Sequence, residues 1–447
     1  VKVFSNDVVA INVSNLGTRT LSSLSALKSS LGVKITAGGP TFNKYKELAI
    51  ENGEINFDVA SNKAAADTTP GGFFFKKVLG QRLRLNVNQN LTARLSSAIA
   101  REFYNKQVVG LEANSSKQAV TNTETQVNIA NGKIVDVART DGTKNGGVGV
   151  FINYGLVDNK GTINVEKDSV ANSNAVGVYA VNGSNVTNNG SINVSGKDSI
   201  GILGVAYRTD SKNRNVVDEF GKYATGQGKV NILNKGNISL DGQGATGIFA
   251  KNNKVGTTLT NATATNDTTG KITTTGIKSV GMSGEKANII NRGTIEVKGQ
   301  EGTGMFAKSS SRMENSGTIN ITASSSASKP NIGMFTEDKD TVIHNNKNII
   351  GGNNTYGIYG KTVNMGTNGK IKVGNNSVGI YSNGQYSSSA TPTVNLASGS
   401  TIEVGKNQAV GVFTTGKNQN ISSQADMKIG DNSYGYVVKG VGTKLST

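Results

Sequence analysis

Apolar and polar residues alternate in short runs down the last three quarters of this chain, and the runs recur. In residues 291–307 a turn at Asn291 and Gly293 leads into alternating Ile295 and Val297. A Gly-rich polar turn follows, then a second short strand over 303–307. The turn and first strand return at 159–165, 189–194, 234–240, 315–321 and 368–373. The second strand, an apolar residue, Gly, an apolar residue and commonly an aromatic, returns from 176–180 to 434–437. A third strand precedes each turn, as at 185–187, 287–290 and 361–363. From Gly177 to Gly201 is 24 residues and from Gly357 to Gly379 is 22. Strands this short bury too little surface to fold alone, so each coil must stack on its neighbours. Three strands per period predict a three-sided parallel β-helix in which each strand pairs with its equivalents one coil above and below. Leucine-rich repeats share this period but need Leu at fixed offsets and an outer helix, and neither is visible.

Alternation along the second strand predicts which way its residues point. The residues flanking the glycine, such as Val176 and Val178 or Ile332 and Met334, are expected inside, with the glycine and the aromatic outside. Tyr179, Phe249, Phe306, Phe335, Tyr359, Tyr381 and Phe413 then form an outward stripe, each ring beside a groove left by its glycine. Such a stripe either meets a partner, with Phe306, Phe335 and Tyr359 as its centre, or consists of rings stacked on one another under loops or the N-terminal unit. Several of the turn residues Asn159, Asn189, Asn234, Asn291, Asn315 and Asn368 are expected to stack as a ladder of amides, Asn being tolerant of left-handed turns. Longer intervals between glycines mark insertions near 206–229, 251–269 and 382–392, the usual place for a solenoid to carry specificity. The first insertion contains Arg208, Lys212, Arg214 and Lys222, a candidate contact for an anionic ligand.

The first third reads differently. Strands are expected over 8–13, 54–60, 82–87 and 107–113. Leu21, Leu24, Leu27 and Leu31 have helical spacing, with Thr20 as cap and Gly32 as stop. Phe42, Tyr45, Leu48 and Ala49 suggest a second helix, and Leu91, Leu95, Ile99 and Phe103 a third. Residues 1–120 are therefore expected to be an α+β unit with a possible initial coil, and 121–447 the regular array. Between Pro70 and Lys106 stand Lys76, Lys77, Arg82, Arg84, Arg94, Arg101 and Lys106 against Glu102 alone, with Phe73, Phe74 and Phe75 among them. That mixture has the look of a nucleic-acid or membrane-surface patch. The reading adopted is a solvated helix and strand face over core phenylalanines, so nucleic acid is not an expected partner.

Composition supports strands and turns: 57 Gly and 4 Pro in 447 residues, with Ser, Thr and Asn between Val/Ile-rich runs. Cysteine is absent, which excludes disulfides and thiolate metal sites. A formal net charge of +17 favours anionic partners. No apolar run is long enough for a membrane helix, and the start at Val1 without a leader reads as a piece of a longer protein. Most chemistry motifs are decoys. Gly242, Gly244 and Gly247 fit a dinucleotide-binding spacing but lead into a strand. His344 is the sole histidine, so no triad or histidine metal set can form. Parallel β-helices also host polysaccharide-degrading enzymes, whose mark would be paired carboxylates on neighbouring coils. Acidic residues at corresponding positions are sparse.

The Asn-x-Gly-Thr-Ile and Val-Gly-Val-Tyr-Ala repeats, the segment 73–114 before the first coils and the lack of cysteine together resemble the passenger regions of type V autotransporters, especially the very large fusobacterial outer-membrane adhesins. The resemblance covers nearly the whole chain. It implies a right-handed β-helix displayed on a Gram-negative cell surface and attaching to host cells or other bacteria through protein or glycan receptors. It also implies membrane attachment only through a C-terminal β-barrel that is not in this sequence. The expectation is thus an all-β, three-sided right-handed parallel β-helix with an α+β unit in its N-terminal third. It is expected to act in adhesion without catalysis, cofactor or metal. The alternatives are a polysaccharide-degrading β-helix enzyme and a passive stalk carrying a distal binding head.

Overall fold

A computed structural model describes residues 83–95, 108–115, 125–139, 146–166, 174–207, 228–253, 261–384 and 394–447. Before residue 83 it describes the backbone of strands alone. The chain divides into two compact units, Val1–Gly242 and Gln243–Thr447. Each is a stack of coils with three strands per coil, one on each of three sides, and this is a three-sided parallel β-helix.

In the first unit, one side holds Ser61–Lys63, Leu91–Leu95, Ile134–Arg139, Thr162–Val165, Ser191–Val194 and Asn237–Leu240. The next holds Phe73–Lys77, Val108–Ser115, Gly147–Asn153, Val176–Val181 and Ile200–Ala206. The last runs from Thr18–Leu21 to Val230–Asn234. In the second unit three equivalent sides run from Lys271–Thr274 to Asp426–Ile429, from Thr246–Asn252 to Tyr434–Val438, and from Ala262–Asn266 to Lys444–Ser446. These are called below the first, second and third sides. Pairing is parallel and in register, coil on coil, as in Thr294 with Thr318 and Ile295 with Ile319.

The pattern of the sequence explains this stacking. Thr294–Val297 buries Ile295 and Val297 and leaves Thr294 and Glu296 half-exposed. Its equivalents align Ile272, Ile295, Ile319, Ile349, Ile371 and Ile402 in one buried column. Each such side chain contributes roughly 1.5–3 kcal/mol by leaving water, which is why a coil is stable only between neighbours.

The corner between the third and first sides is held by amides. Asn159 Nδ2 donates to Asn188 Oδ1 at 2.7 Å, and Asn188 to Asn234 at 2.7 Å. In the second unit Asn266, Asn291, Asn315 and Asn345 form the same chain with 2.8 Å links. All seven are buried. Their second amide hydrogens reach carbonyls across the turn, as from Asn266 to Gly270 at 3.2 Å and from Asn345 to Lys347 at 3.2 Å. The ladder is real, but two of its expected members are not in it. Asn189 sits one residue later and bonds Asp158 at the surface, while Asn188 takes the rung. Asn368 lies in an exposed turn, and the rung it was assigned to is filled by Met365, which pairs with Asn345. None of the ladder residues has positive φ. They end strands in extended backbone, so the amide was selected for bonding along the axis and not for a left-handed turn.

Two further expectations need correction. The helices expected in the first third are strands wherever the structure describes them: Thr18–Leu21, Lys46–Ile50 and Leu91–Leu95. No α-helix occurs among the described residues. A spacing of four is a multiple of two as well as a helical turn, so Leu91 and Leu95 share a strand face too. Parallel pairing of Leu91 with Val135 and Ala93 with Val137 decided between the periods. The strands expected near 8–13, 54–60, 82–87 and 107–113 occur as Val9–Val13, Gly53–Phe57, Leu83–Val87 and Val108–Ser115. Residues 22–35, Ile99 and Phe103 lie outside the described residues.

The second correction concerns the second-side glycines, which face inward. A Cβ on Gly304 would overlap Ile319 Cγ2 of the first side and the Gly333 carbonyl, and the strand's pairing passes from Thr303 to Met305 around it. The strand bends here so that backbone meets a core isoleucine, a close approach only Gly permits. Strict alternation therefore slips by one. Met305 and Met334 are inside as expected, whereas Thr303 and Ile332 before the glycines are half-exposed. The glycines leave no outer groove.

Candidate functional site

The outward face of the second side in the second unit gathers Phe306, Phe335 and Tyr359 into one column, continued by Tyr381 and Phe413. The register that aligns them also aligns the buried Met305, Met334, Ile358, Ile380 and Val412. The five rings are half-exposed. Ring centroids are 5.5 Å apart for Phe306 and Phe335, 5.1 Å for Phe335 and Tyr359, 4.7 Å for Tyr359 and Tyr381, and 5.3 Å for Tyr381 and Phe413. These spacings follow the rise of one coil, about 4.8 Å. Phe249 belongs to the same row but is separated from Phe306 by Ser283. In the first unit the corresponding row is Phe151, Tyr179 and Leu203, and all three are buried. Tyr179, expected on an outward stripe, is 2 % exposed.

Tyr356 joins the column from the position before Gly357. It stacks 6.4 Å from Tyr359 and 5.9 Å from Tyr381, with planes within 14°. Sequence reasoning does not single it out, yet one signal is present: it is a tyrosine where Val378 and Val410 stand in the following coils. Polar groups pin the ring tips. Asn383 Nδ2 donates to the Tyr359 hydroxyl at 3.2 Å, and the Tyr381 hydroxyl and Thr415 Oγ1 are 3.2 Å apart. Lys439 Nζ lies 5.4 Å from the centre of the Phe413 ring. Burial, then the neighbouring Tyr381, pushes the Tyr356 and Tyr359 hydroxyls above their ordinary value, so both stay protonated donors. Phe306 with Phe335 and Tyr359 with Tyr381 are stacked, whereas Phe335 meets Tyr359 edge-on and Phe413 is tilted against Tyr381.

Several carboxylates of this unit are paired with lysines. Glu285 lies 3.3 Å from Lys251 and 3.4 Å from Lys308, and Glu296 lies 2.9 Å from Lys271 and 3.7 Å from Lys298. Glu301 lies 3.8 Å from Lys278 and 3.4 Å from Lys329. The Lys271 hydrogen bond holds Glu296 below the usual carboxylate range despite opposing burial. A general acid needs its pKa raised, and the pairing of Glu296 with Lys271 does the opposite. His344 stands beside Glu314 on the third side. Among the described residues no cluster of His, Asp and Glu could hold a metal ion, and no helix is long and apolar enough to cross a membrane. Gly242, Gly244 and Gly247 run into the strand Thr246–Asn252, so they open no helix for a phosphate.

Arg208, Lys212, Arg214 and Lys222 lie outside the described residues, as do 254–260 and 385–393 of the other two insertions. Of the basic stretch between Pro70 and Lys106, Phe73–Lys77 is a second-side strand and Arg84 a half-exposed third-side residue.

Residues 204–348 match the family described as the BigA third pectate lyase-like domain. No curated protein and no solved structure matches the chain. Over those residues the chain is similar to that family, and with the three parallel sheets the similarity supports a passenger-type region of pectate lyase-like fold.

Proposed function

We propose that this chain is a segment of a surface-displayed adhesin passenger, one that attaches a bacterium to host cells or to other bacteria by surface contact and without catalysis. The observation that carries the reading is the half-exposed, continuous column of rings from Phe306 to Phe413 on one side of the stacked coils. Exposed aromatic surface of this kind commonly marks a partner. Two further points support it: the similarity of 204–348 to the BigA domain, and the resemblance of the repeats to fusobacterial adhesin passengers. The double pairing of Glu285, Glu296 and Glu301 with lysines favours this reading over a polysaccharide-degrading enzyme. Arg208, Lys212, Arg214 and Lys222 belong to the proposal as a second, charge-dependent contact.

The test is attachment of beads carrying the full chain to epithelial cells and to bacterial lawns. Replacing Phe306, Phe335 and Tyr359 together by Ser should abolish attachment while leaving a folded, β-rich chain. Attachment retained with a sharply lower melting temperature would show that the rings are structural. Release of reducing or unsaturated sugar ends from a polysaccharide panel would favour the enzyme.

A further inference from the structure

The column has a chemistry specific enough to name its partner, given the adhesin reading above. Its edge toward the third side carries Lys361, two residues after Tyr359, together with Lys417 and Lys439. Lys417 and Lys439 are exposed and Lys361 is half-exposed. Several other lysines of the unit sit against carboxylates, as around Glu285, Glu296, Glu301 and Glu403. No such pair engages these three among the described residues, and 385–393, the insertion after Tyr381, contains no acidic residue. The acids that reach this face, Glu337 and Asp338, act at its Phe335 end, Glu337 on the Tyr359 hydroxyl and Asp338 on Lys361, and leave Lys417 and Lys439 at the other end. The C-terminal half of the column is therefore a row of phenol donors and ring edges, which carry partial positive charge, bordered by three cations.

The dimensions argue for a chain-like partner. Five rings at this exposure offer on the order of 300 Å², well short of the roughly 800 Å² per partner that a stable protein interface buries. The column is also roughly 20 Å long and one or two side chains wide, a shape suited to a single strand of polymer. Two polymers are disfavoured on physical grounds. Single-stranded nucleic acid binds by stacking bases on free ring faces, and the Phe306–Phe335 and Tyr359–Tyr381 pairs use such faces on each other. An extended acidic peptide adds to an unpaired strand edge, yet every strand from Thr303–Lys308 to Val410–Thr414 is paired on both edges.

We infer that the face formed by Tyr356, Tyr359, Tyr381 and Phe413 with Lys361, Lys417 and Lys439 binds a linear, polyanionic glycan of the sulfated class lying along the coil axis. The sulfates meet lysines and phenol hydroxyls, and the sugar rings lie against ring edges.

The test uses the full chain on immobilised heparin, with desulfated heparin, an oligo-dT and polyglutamate as competitors. Wild type is expected to bind heparin and to be displaced by heparin far better than by the other three. Replacing Lys361, Lys417 and Lys439 together by Ala should weaken binding on the order of tenfold at physiological salt. Replacing Tyr359 and Tyr381 by Phe, which keeps the stack, should weaken it several-fold. A control removing Lys347, Lys370 and Lys428, the same charge elsewhere, should change little. Equal loss in both lysine triples reduces the effect to net charge and overturns the site. Equal competition by oligo-dT or polyglutamate overturns the glycan, as does failure to bind heparin. Attachment of beads to cells stripped of sulfated glycans separates the two readings: if it persists, this inference fails and the adhesin reading stands.

Discussion

The second side obeys one set of rules in both units and ends in two different surfaces. Gly177 and Gly304 occupy equivalent places, each with its would-be Cβ against a first-side isoleucine and the next coil's glycine carbonyl. Two residues further on, Tyr179 is buried and packs edge-on against Phe151 at 5.3 Å, whereas Phe306 is half-exposed and stacks on Phe335. Register dictates that a large ring at this position points away from the coil's interior. It does not dictate whether water is there. In the first unit the outward ring has become a core residue, and in the second it remains available to a partner.

The largest expected effect comes from truncating the rings. Tyr179→Ala should cost about 3–5 kcal/mol of stability by opening a cavity. Tyr359→Ala, losing ring contacts at a wetter site, should cost about 1–2 kcal/mol. Denaturant melts of the full chain read the difference, and equal losses would erase the distinction between the two surfaces. Gly177→Ala and Gly304→Ala should each cost about 1–3 kcal/mol, because the new methyl must displace a packed isoleucine or the neighbouring backbone. Here the two units should agree, and disagreement would mean that they do not share one scaffold.

The amide ladder gives the next contrast. Asn188→Ala in the first unit and Asn291→Ala in the second should each cost about 1–3 kcal/mol, since each strands buried amide groups of its neighbours. Asn189→Ala, one residue away at the surface, should stay within about 0.5 kcal/mol.

The smallest effect is one of pH and belongs to the second unit. Burial, then the Arg312 guanidinium, holds the His344 imidazole below its ordinary value of 6.5, against the pull of Glu314. The unfolded chain therefore takes up a proton before the folded one does. Stability from this group is complete above the ordinary value and falls as pH drops below it. The loss should stay under about 1 kcal/mol, because water reaches the half-buried ring. His344→Gln should flatten the acid side of a stability profile taken from pH ~7.5 to ~5. A profile unchanged by the substitution would remove His344 from the account.

Much of this was legible because a solenoid repeats its instructions. The period between glycines, the alternation in Thr294–Val297 and the three strands per coil could each be read many times over, so a single ambiguous residue could not mislead. Legibility failed where a rule was applied to one residue at a time. Asn189 stands directly before Gly190 in the turn motif, yet the pairing of Val186 with Ile232 sets the rung at Asn188. Strict alternation would turn Tyr356 inward, and the bend at Gly357 breaks it.

The sequence by itself determined the coil, its three sides, the inward isoleucines and the outward direction of the rings, because these follow from periodicity and from side chains repeated in register. Tertiary structure alone decided the rest. It turned the i+4 leucines at Leu91 and Leu95 into a strand, since a parallel neighbour was there to pair with. It pressed the glycines against the core, and it buried Tyr179 while leaving Phe306, Phe335, Tyr359, Tyr381 and Phe413 half-open. Burial depends on what distant chain lies over a face, and no local pattern encodes that.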